Sequence, residues 1–495
     1  MIWRLQMKKE DWLIPEGVPH YSNDTHIEIG GYMGPRRSGY QFWHGEYGKH
    51  PLDPPEGWKS YITEKDFQDY LDAGFTFVLS EGDAWYDYNN EKGKFVEDFI
   101  ESDLYPYMEL AEKVGLPVVP AAQWLVDFAS SADPQLSNYK KNKLKKMVDD
   151  LSKYKMFKGL TLHDEPYIPQ VPVAGEIHRY LKSIKPDIYL YTCMLPIYGR
   201  NSMFTNEITD DKEEAYKHYV DKVMEETGTF TYDHYPLYID NRDPKNRKTR
   251  IQSDYYWNYE LVAGEAKKMN CDTGMVVQSA AWGPLGEEEE GCHPRRVLSK
   301  ADVSFQVYSA LAYGMKSISY YTYWTHYTQA EYLCYYSAMV EYPRKVDGTP
   351  DVNGEAVKTP TYYAVQEVNR EIQKFDHVLM RYKWQGTTAV VPEGKKISEV
   401  LSYVREYHSP RIHSVMATEE TIIGCLKDEK GYDGFVVVNA TDPGIRKNDK
   451  VTIRFKEAAS AICFIEGQEQ MLDLQNGTFS YELASGQGIF IIPIK

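Results

Sequence analysis

The run His163-Asp164-Glu165-Pro166 holds the sharpest chemistry in the chain. Proline cannot donate to a sheet ladder and restricts the residue before it. Pro166 is therefore expected to end a strand with Glu165 extended at its rim. From there the Glu165 carboxyl can point inward. A second acidic run, Tyr232-Asp233-His234-Tyr235-Pro236, can bring Asp233 to the same place. A carboxyl crowded by Asp164 and Asp233 in a partly dry cavity has its charged form disfavoured, and the raised pKa suits a general acid. The plain alternative is that Asp-Glu-Pro starts a solvated loop, where Asp and Pro are common.

Convergence of these groups needs a scaffold, and the sequence pattern supplies one. Eight β-rich apolar runs lie at 26–32, 75–82, 116–124, 159–166, 188–194, 230–236, 273–282 and 317–324. Amphipathic stretches at 62–74, 105–115, 174–186, 255–269 and 300–316 separate them, several ending in Gly or Pro as helix stops do. The runs are nearly continuous rather than alternating, the mark of parallel strands buried on both faces. Eight such units predict an α/β fold, a (β/α)8 TIM barrel. An open doubly wound sheet usually begins with a Gly-rich phosphate loop, and neither GxGxxG nor GxxxxGK[ST] occurs. The eighth helix is expected over 360–382. Beyond Trp384, helix-free β-rich runs separated by turn signals predict an antiparallel β-sandwich. The expected layout is an N-terminal extension over 1–25, a barrel over 26–382 and a C-terminal sandwich over 384–495.

Barrels place reactive groups at the C-terminal ends of their strands. Those ends offer Glu81 and Asp83 on the second strand, Gln123 and Trp124 on the third, and His163, Asp164 and Glu165 on the fourth. The sixth gives Asp233, His234 and Tyr235, the seventh Gln278 and Trp282, and the eighth Tyr323, Trp324 and His326. Glu165, Asp233 and Asp164 are the expected catalytic groups. Glu81, Gln123, Trp124, His163, His234, Tyr235, Gln278, Trp282, Tyr323 and Trp324 are the expected ligand contacts. Core packing is the bland alternative for each tryptophan, and a solvated loop for Glu287–Glu290.

The net charge of −17 argues against a nucleic-acid partner, whose phosphates demand clustered Lys and Arg. Tyrosine outnumbers phenylalanine 42 to 17, which suits a half-apolar, half-wet cleft for a polyhydroxylated ligand. An aromatic-rich core with surface tyrosines explains the count as well. The six cysteines are scattered without CxxC or zinc spacing, so free thiols in a reducing compartment are expected. No stretch reads as a signal peptide or a membrane span, so a cytoplasmic protein without a membrane partner is expected. Assembly into a homo-oligomer is left open.

Gly-Leu-Thr-Leu-His-Asp-Glu-Pro at 159–166 resembles the fourth-strand end of clan A glycoside hydrolases, with Asp164 where that clan carries Asn. Segments 62–78 and 308–324 are similar to the corresponding regions of family 42 β-galactosidases and related unclassified bacterial hydrolases. The resemblance covers most of 26–382. It implies a glycosidase with Glu165 as acid/base and a carbohydrate substrate; no cofactor is expected, and the cysteine scatter and incomplete histidine pattern predict no metal and no disulfides.

One departure matters. The clan's nucleophilic Glu ends the seventh strand, where this chain has Gln278. An amide cannot form the glycosyl-enzyme ester. Asp233 is the first replacement and Glu81 the second. Each lies two strands from the fourth, roughly 9 Å at ~4.8 Å per strand, so both the ~5 Å and the ~6.5–9.5 Å carboxyl spacings are in reach. Two other classes stay open: a sugar-binding barrel without full catalytic machinery, and a metal-dependent barrel hydrolase using His163, Asp164, Asp233 and His326. The latter normally carries HxH on its first strand, where this chain reads His-Ile-Glu.

Overall fold

The computed structural model describes residues 26–36, 42–43, 62–80, 88–89, 94–95, 104–122, 136–240, 248–282, 295–328, 333–348 and 350–495. The extension 1–25, Glu81, Asp83, Trp85, Gln123, Trp124 and Glu287–Glu290 lie outside them. Of Trp282 only the backbone is described.

Eight apolar runs become short parallel strands: β1 (Glu28–Gly31), β2 (Val78–Ser80), β3 (Val118–Pro120), β4 (Gly159–Asp164), β5 (Tyr189–Met194), β6 (Thr229–His234), β7 (Asp272–Gln278) and β8 (Ser317–Tyr321). Six form one sheet in the order β1-β8-β7-β6-β5-β4, and β2 pairs with β3. Single bridges reach from β1 to β2 (Tyr32–Leu79) and from β3 to β4 (Ala121–Thr161). Helices follow the strands in turn: α1 (Glu64–Asp72), α2 (Leu104–Val114), α3 (Asn138–Leu151), α4 (Val171–Ile184), α5 (Lys212–Thr227), α6 (Tyr255–Met269), α7 (Lys300–Ala312) and α8 (Pro360–Ile372). Local chemistry sets their ends. Thr63, Ser137, Asp211 and Ser299 cap N-termini through their side chains, and Gly228 closes α5 at φ 78°. The eighth helix is shorter than expected. It stops at Ile372 and is followed by the single turn Asp376–Leu379.

The C-terminal strands are β9 (Lys383–Val390), β10 (Ile412–Met416), β11 (Thr421–Lys427), β12 (Asp433–Asn439), β13 (Asp449–Phe455), β14 (Ser460–Ile465), β15 (Gln468–Asp473), β16 (Thr478–Leu483) and β17 (Gly488–Ile494). They make a six-stranded antiparallel sheet, β9-β11-β12-β17-β14-β15, and a three-stranded one, β10-β13-β16. Ile423, Phe435, Val437, Ile453, Phe455, Phe479 and Ile491 fill the space between the two sheets. The outer face of the larger sheet packs on the helices. Phe375 stacks on Phe464 at 5.3 Å, and a Cβ at Gly424 would meet the Ala312 carbonyl at 2.0 Å. Only glycine permits that approach of β11 to α7.

The tyrosine excess has its main use in the core, not in a cleft. Tyr70, Tyr107, Tyr191, Tyr216, Tyr219, Tyr232, Tyr255, Tyr256 and Tyr259 are all fully buried. Their hydroxyls pin one element to the next: Tyr70 donates to the Phe77 carbonyl (3.0 Å), Tyr320 to Asn369 (2.7 Å) and Tyr216 to the Leu195 carbonyl (3.0 Å). Each such bond contributes about 1 kcal/mol net, and far more is lost when one partner is left bare.

Candidate active site

The end of β4 is bent into its role. Its register against β5 slips between Thr161 and His163, so Leu162 is an extra residue and Asp164 ends opposite Cys193. A bulge of this kind re-aims the side chains beyond it. The Glu165 N–H donates to the Cys193 carbonyl (2.8 Å), and the Pro166 carbonyl accepts from the Tyr219 hydroxyl (2.7 Å). The chain must turn between these two anchors. Glu165 does so at φ 47°, in the left-handed region rather than the extended one expected from Pro166. Right-handed helical geometry is disfavoured before proline, so a turn at this point falls to the left-handed well. Such a residue stores of order 1–3 kcal/mol of strain and is typical of functional sites.

Three carboxyls meet where β4 and β6 end. Asp164 has solvent-exposed surface, yet the desolvation imposed by the protein packed around it lifts its pKa to about 6. Glu165 is half-buried. Burial and the neighbouring Asp164 charge raise it to about 7, against a hydrogen bond with Asp233 that pulls it down. Asp233 is only 7% exposed. Burial first, then the charges of Glu165 and Asp164, push it well above the ordinary carboxylate range, opposed by a hydrogen bond with Tyr235. The Asp233 Oδ1 has no hydrogen-bond partner among the described protein atoms. The Glu165–Asp233 pair thus holds a proton near neutral pH, shared in macroscopic steps that belong to the pair.

An aromatic wall stands beside the carboxyls. Tyr235 lies 5.6 Å from Tyr321, and Tyr321 lies 5.9 Å from Tyr32. The Tyr32 hydroxyl donates to that of Tyr191 (3.1 Å) and bonds the Cys193 thiol, whose pKa burial and the three acids push up. Tyr198 is 43% exposed, and its phenol feels burial and the charges of Asp233 and Glu165. Sequence reasoning missed Tyr32, Cys193, Tyr198 and Tyr321. Tyr32 ends the expected strand 26–32 and Tyr321 lies within the expected strand 317–324, where the face that each ring takes was not legible. No local pattern marked Tyr198.

Several expected contacts lie elsewhere. His234 alternates away from Asp233. It is fully buried, with Nε2 3.0 Å from Asp254 Oδ1, a partner whose charge stays favoured despite burial. His163 is buried near His178 of α4, which burial and His163 hold down at about 3. Tyr323 packs on Tyr70 at 5.0 Å, and Trp324 is fully buried with Nε1 donating to the Pro35 carbonyl (3.3 Å). Neither ring is a stacking platform, because β8 ends at Tyr321 and the chain then dives into the core. Gln278 is 0% exposed and bonded at every polar atom to backbone, so it contacts no ligand. Among the described residues no group of three or more His, Cys, Asp or Glu is arranged to hold a metal. His163, Asp164, Asp233 and His326 accordingly form no such set. No described helix is long and apolar enough to cross a membrane.

No family model matches the chain, and no curated protein matches it. Among solved structures, it is similar to an Anoxybacillus α-amylase at 12% identity, covering 96% of this chain and 99% of that one, with TM-score 0.47. A family 51 α-L-arabinofuranosidase from Bifidobacterium longum is 11% identical, covers 96% of each chain and has TM-score 0.43. An endo-β-1,4-mannanase from Thermotoga petrophila is 10% identical over 92% of this chain and 97% of that one, with TM-score 0.41.

Proposed function

We propose that the chain is a glycoside hydrolase in which Glu165 protonates the departing glycosidic oxygen and Asp233 is the carboxylate that works opposite it. The observation that carries this reading is the convergence of these two carboxyls from the ends of alternate strands, Asp233 buried and Glu165 half-buried, with Glu165 raised to about 7. An acid at that value keeps its proton near neutral pH and can still release it, as general acid catalysis requires. The eight parallel strands close as a (β/α)8 barrel over 26–382 through the β1–β2 and β3–β4 bridges, and 384–495 is a second, sandwich domain.

Working glycosidase pairs hold their carboxyls ~5 Å or ~6.5–9.5 Å apart, with the scissile bond between them. A sugar must therefore enter between them. Parting the pair leaves the proton on Glu165, next to the leaving oxygen, and Asp233 ionised as nucleophile or base. Tyr235 hydrogen-bonds Asp233 and steadies that charge. Asp164 sits beside the acid and keeps its pKa high. The half-exposed Tyr198 offers a ring face to the sugar.

Aryl glycosides, galactosides first because of the family 42 resemblance, test the reading with and without chelator. Hydrolysis that survives chelator and disappears in Glu165→Gln supports it. A wild-type protein inert on the whole panel overturns it.

A further inference from the structure

Gln278 stands at the end of β7, and its amide does the work of a missing strand neighbour. Pro236 breaks β6 just after Tyr235. The next residue, Leu237, donates its N–H to Gln278 Oε1 (3.1 Å), while Gln278 Nε2 donates to the Leu237 carbonyl (3.3 Å). The same Nε2 faces the carbonyls of Ala280 (3.2 Å) and Arg296 (3.4 Å). Gln306 of α7 fixes the Gln278 backbone from behind, through bonds of 2.9 and 3.1 Å. The segment that leaves β6 just past Asp233 and Tyr235 is thus tied to the end of β7 by this amide side chain.

That amide leans on Arg296, whose own N–H also donates to the Leu237 carbonyl (3.2 Å). The Arg296 guanidinium is 6% exposed. It bonds Asp302 Oδ1 (3.2 and 2.6 Å) and, 146 residues away in sequence, Asp442 Oδ1 (2.7 Å). Asp442 lies between β12 and β13, in the C-terminal sheets. The loop it starts touches the same segment a second time: a Cβ at Gly444 would meet Thr249 at 2.6 Å, and Thr249 lies on the strand Lys248–Ile251 that pairs with Leu237–Asp240. Gln252, just past that strand, donates its N–H to the Pro236 carbonyl (2.9 Å).

We propose that Asp442 is a positioning residue for the end of β6 that carries Asp233, acting through Arg296 and Gln278 on the segment Tyr235–Leu237. The C-terminal sheets are then part of the catalytic scaffold, and the glutamine at the strand end is a buttress. The inference rests on the assignment of Asp233 for its kinetic readout and on geometry alone for the other.

The test is Asp442→Asn in the full chain, with Lys447→Ala, which breaks an exposed ion pair to Glu419, as the control. A buried charge pair cut on one side loosens its neighbours, and small misplacements of a catalytic group cost up to ~10² in rate. The expected kcat falls about 10-fold with KM within about 2-fold. Amide exchange in the peptide containing Leu237 accelerates, while exchange in β1, β5 and α2 stays as in wild type. The control changes neither. Should Asp442→Asn not accumulate as folded protein, Arg296→Lys, which keeps the charge but not the fork, carries the same measurements. Unchanged exchange at Leu237, or acceleration spread evenly through the chain, overturns the proposal. If the wild type cleaves no glycoside, the hydrolase reading fails alone, and exchange at Leu237 still decides this one.

Discussion

Glu165 and Asp233 stand at the ends of strands that do not touch each other, with β5 between them, yet the Glu165 charge reaches Asp233 and helps push its pKa up. Both strands belong to one parallel sheet, so groups at their C-terminal ends project to the same edge of it. Burial and like charge then raise both members. The Glu165 value of about 7 has a consequence for stability as well as for rate. A carboxyl raised in the folded state binds its proton more tightly there than in the unfolded chain. Its contribution is fully present below the unfolded value of 4.5 and is lost as pH rises through 7. Wild type is therefore expected to lose Tm between pH 4.5 and 7, and kcat/KM to fall on an alkaline limb near 7. Glu165→Gln should flatten the Tm profile in that window. Equal slopes for the two proteins would show that the pair is not the source.

Leaving-group dependence separates the two carboxyls. Glu165→Gln should lower kcat by at least ~10² on substrates with poor leaving groups, the range for losing a general acid. A dinitrophenyl glycoside needs little protonation and should lose less. Asp233→Asn should damage both substrates, because a nucleophile or base is needed whatever departs. Near-normal rates for Asp233→Asn beside a dead Glu81→Gln would move the second role to Glu81.

Much of this was legible in the sequence, for physical reasons. Continuous apolar runs broken by Gly and Pro gave the strands, and Pro166 and Pro236 marked two of their ends. The meeting of Glu165 with Asp233 followed from strand-end placement. What failed was which way each side chain faces. His163 lies past a one-residue bulge and His234 next to an inward Asp233, and a single step in a strand turns a side chain to the opposite face. Trp324 read as a platform because it is a strand-end ring. Its burial depends on a contact with Pro35, 289 residues away, that no local pattern encodes.

Tyr219→Phe isolates the strained turn. Its hydroxyl donates to the Pro166 carbonyl (2.7 Å) and accepts from the Leu195 N–H (3.4 Å), tying the loops after β4 and β5 to α5. Removing it leaves two buried backbone groups short of a partner, about 1–3 kcal/mol by denaturant titration. Since Glu165 keeps φ 47° only while that turn is held, kcat should fall several-fold at temperatures where the variant stays folded. A stability loss with unchanged kcat would mean that β5 alone, through the Cys193 carbonyl, holds the turn.

Gln278→Glu asks whether the residue at the end of β7 is a vestigial nucleophile or a structural amide. A carboxylate there could still accept from the Leu237 N–H. It could not donate to the Leu237, Ala280 and Arg296 carbonyls, which would face a buried negative charge at 3.2–3.4 Å. Arg296 turns its guanidinium to Asp302 and Asp442. The variant should therefore unfold at lower temperature, by more than the typical ~1 kcal/mol of a point mutation, and should lose activity. The loss should be greater at pH 8 than at pH 5, where protonation restores one donor. Gln278→Met, similar in volume but without the amide, should also destabilise, with no such pH dependence. A Gln278→Glu protein that is more active than wild type would reverse the assignment, giving the seventh strand its nucleophile and Asp233 a supporting role.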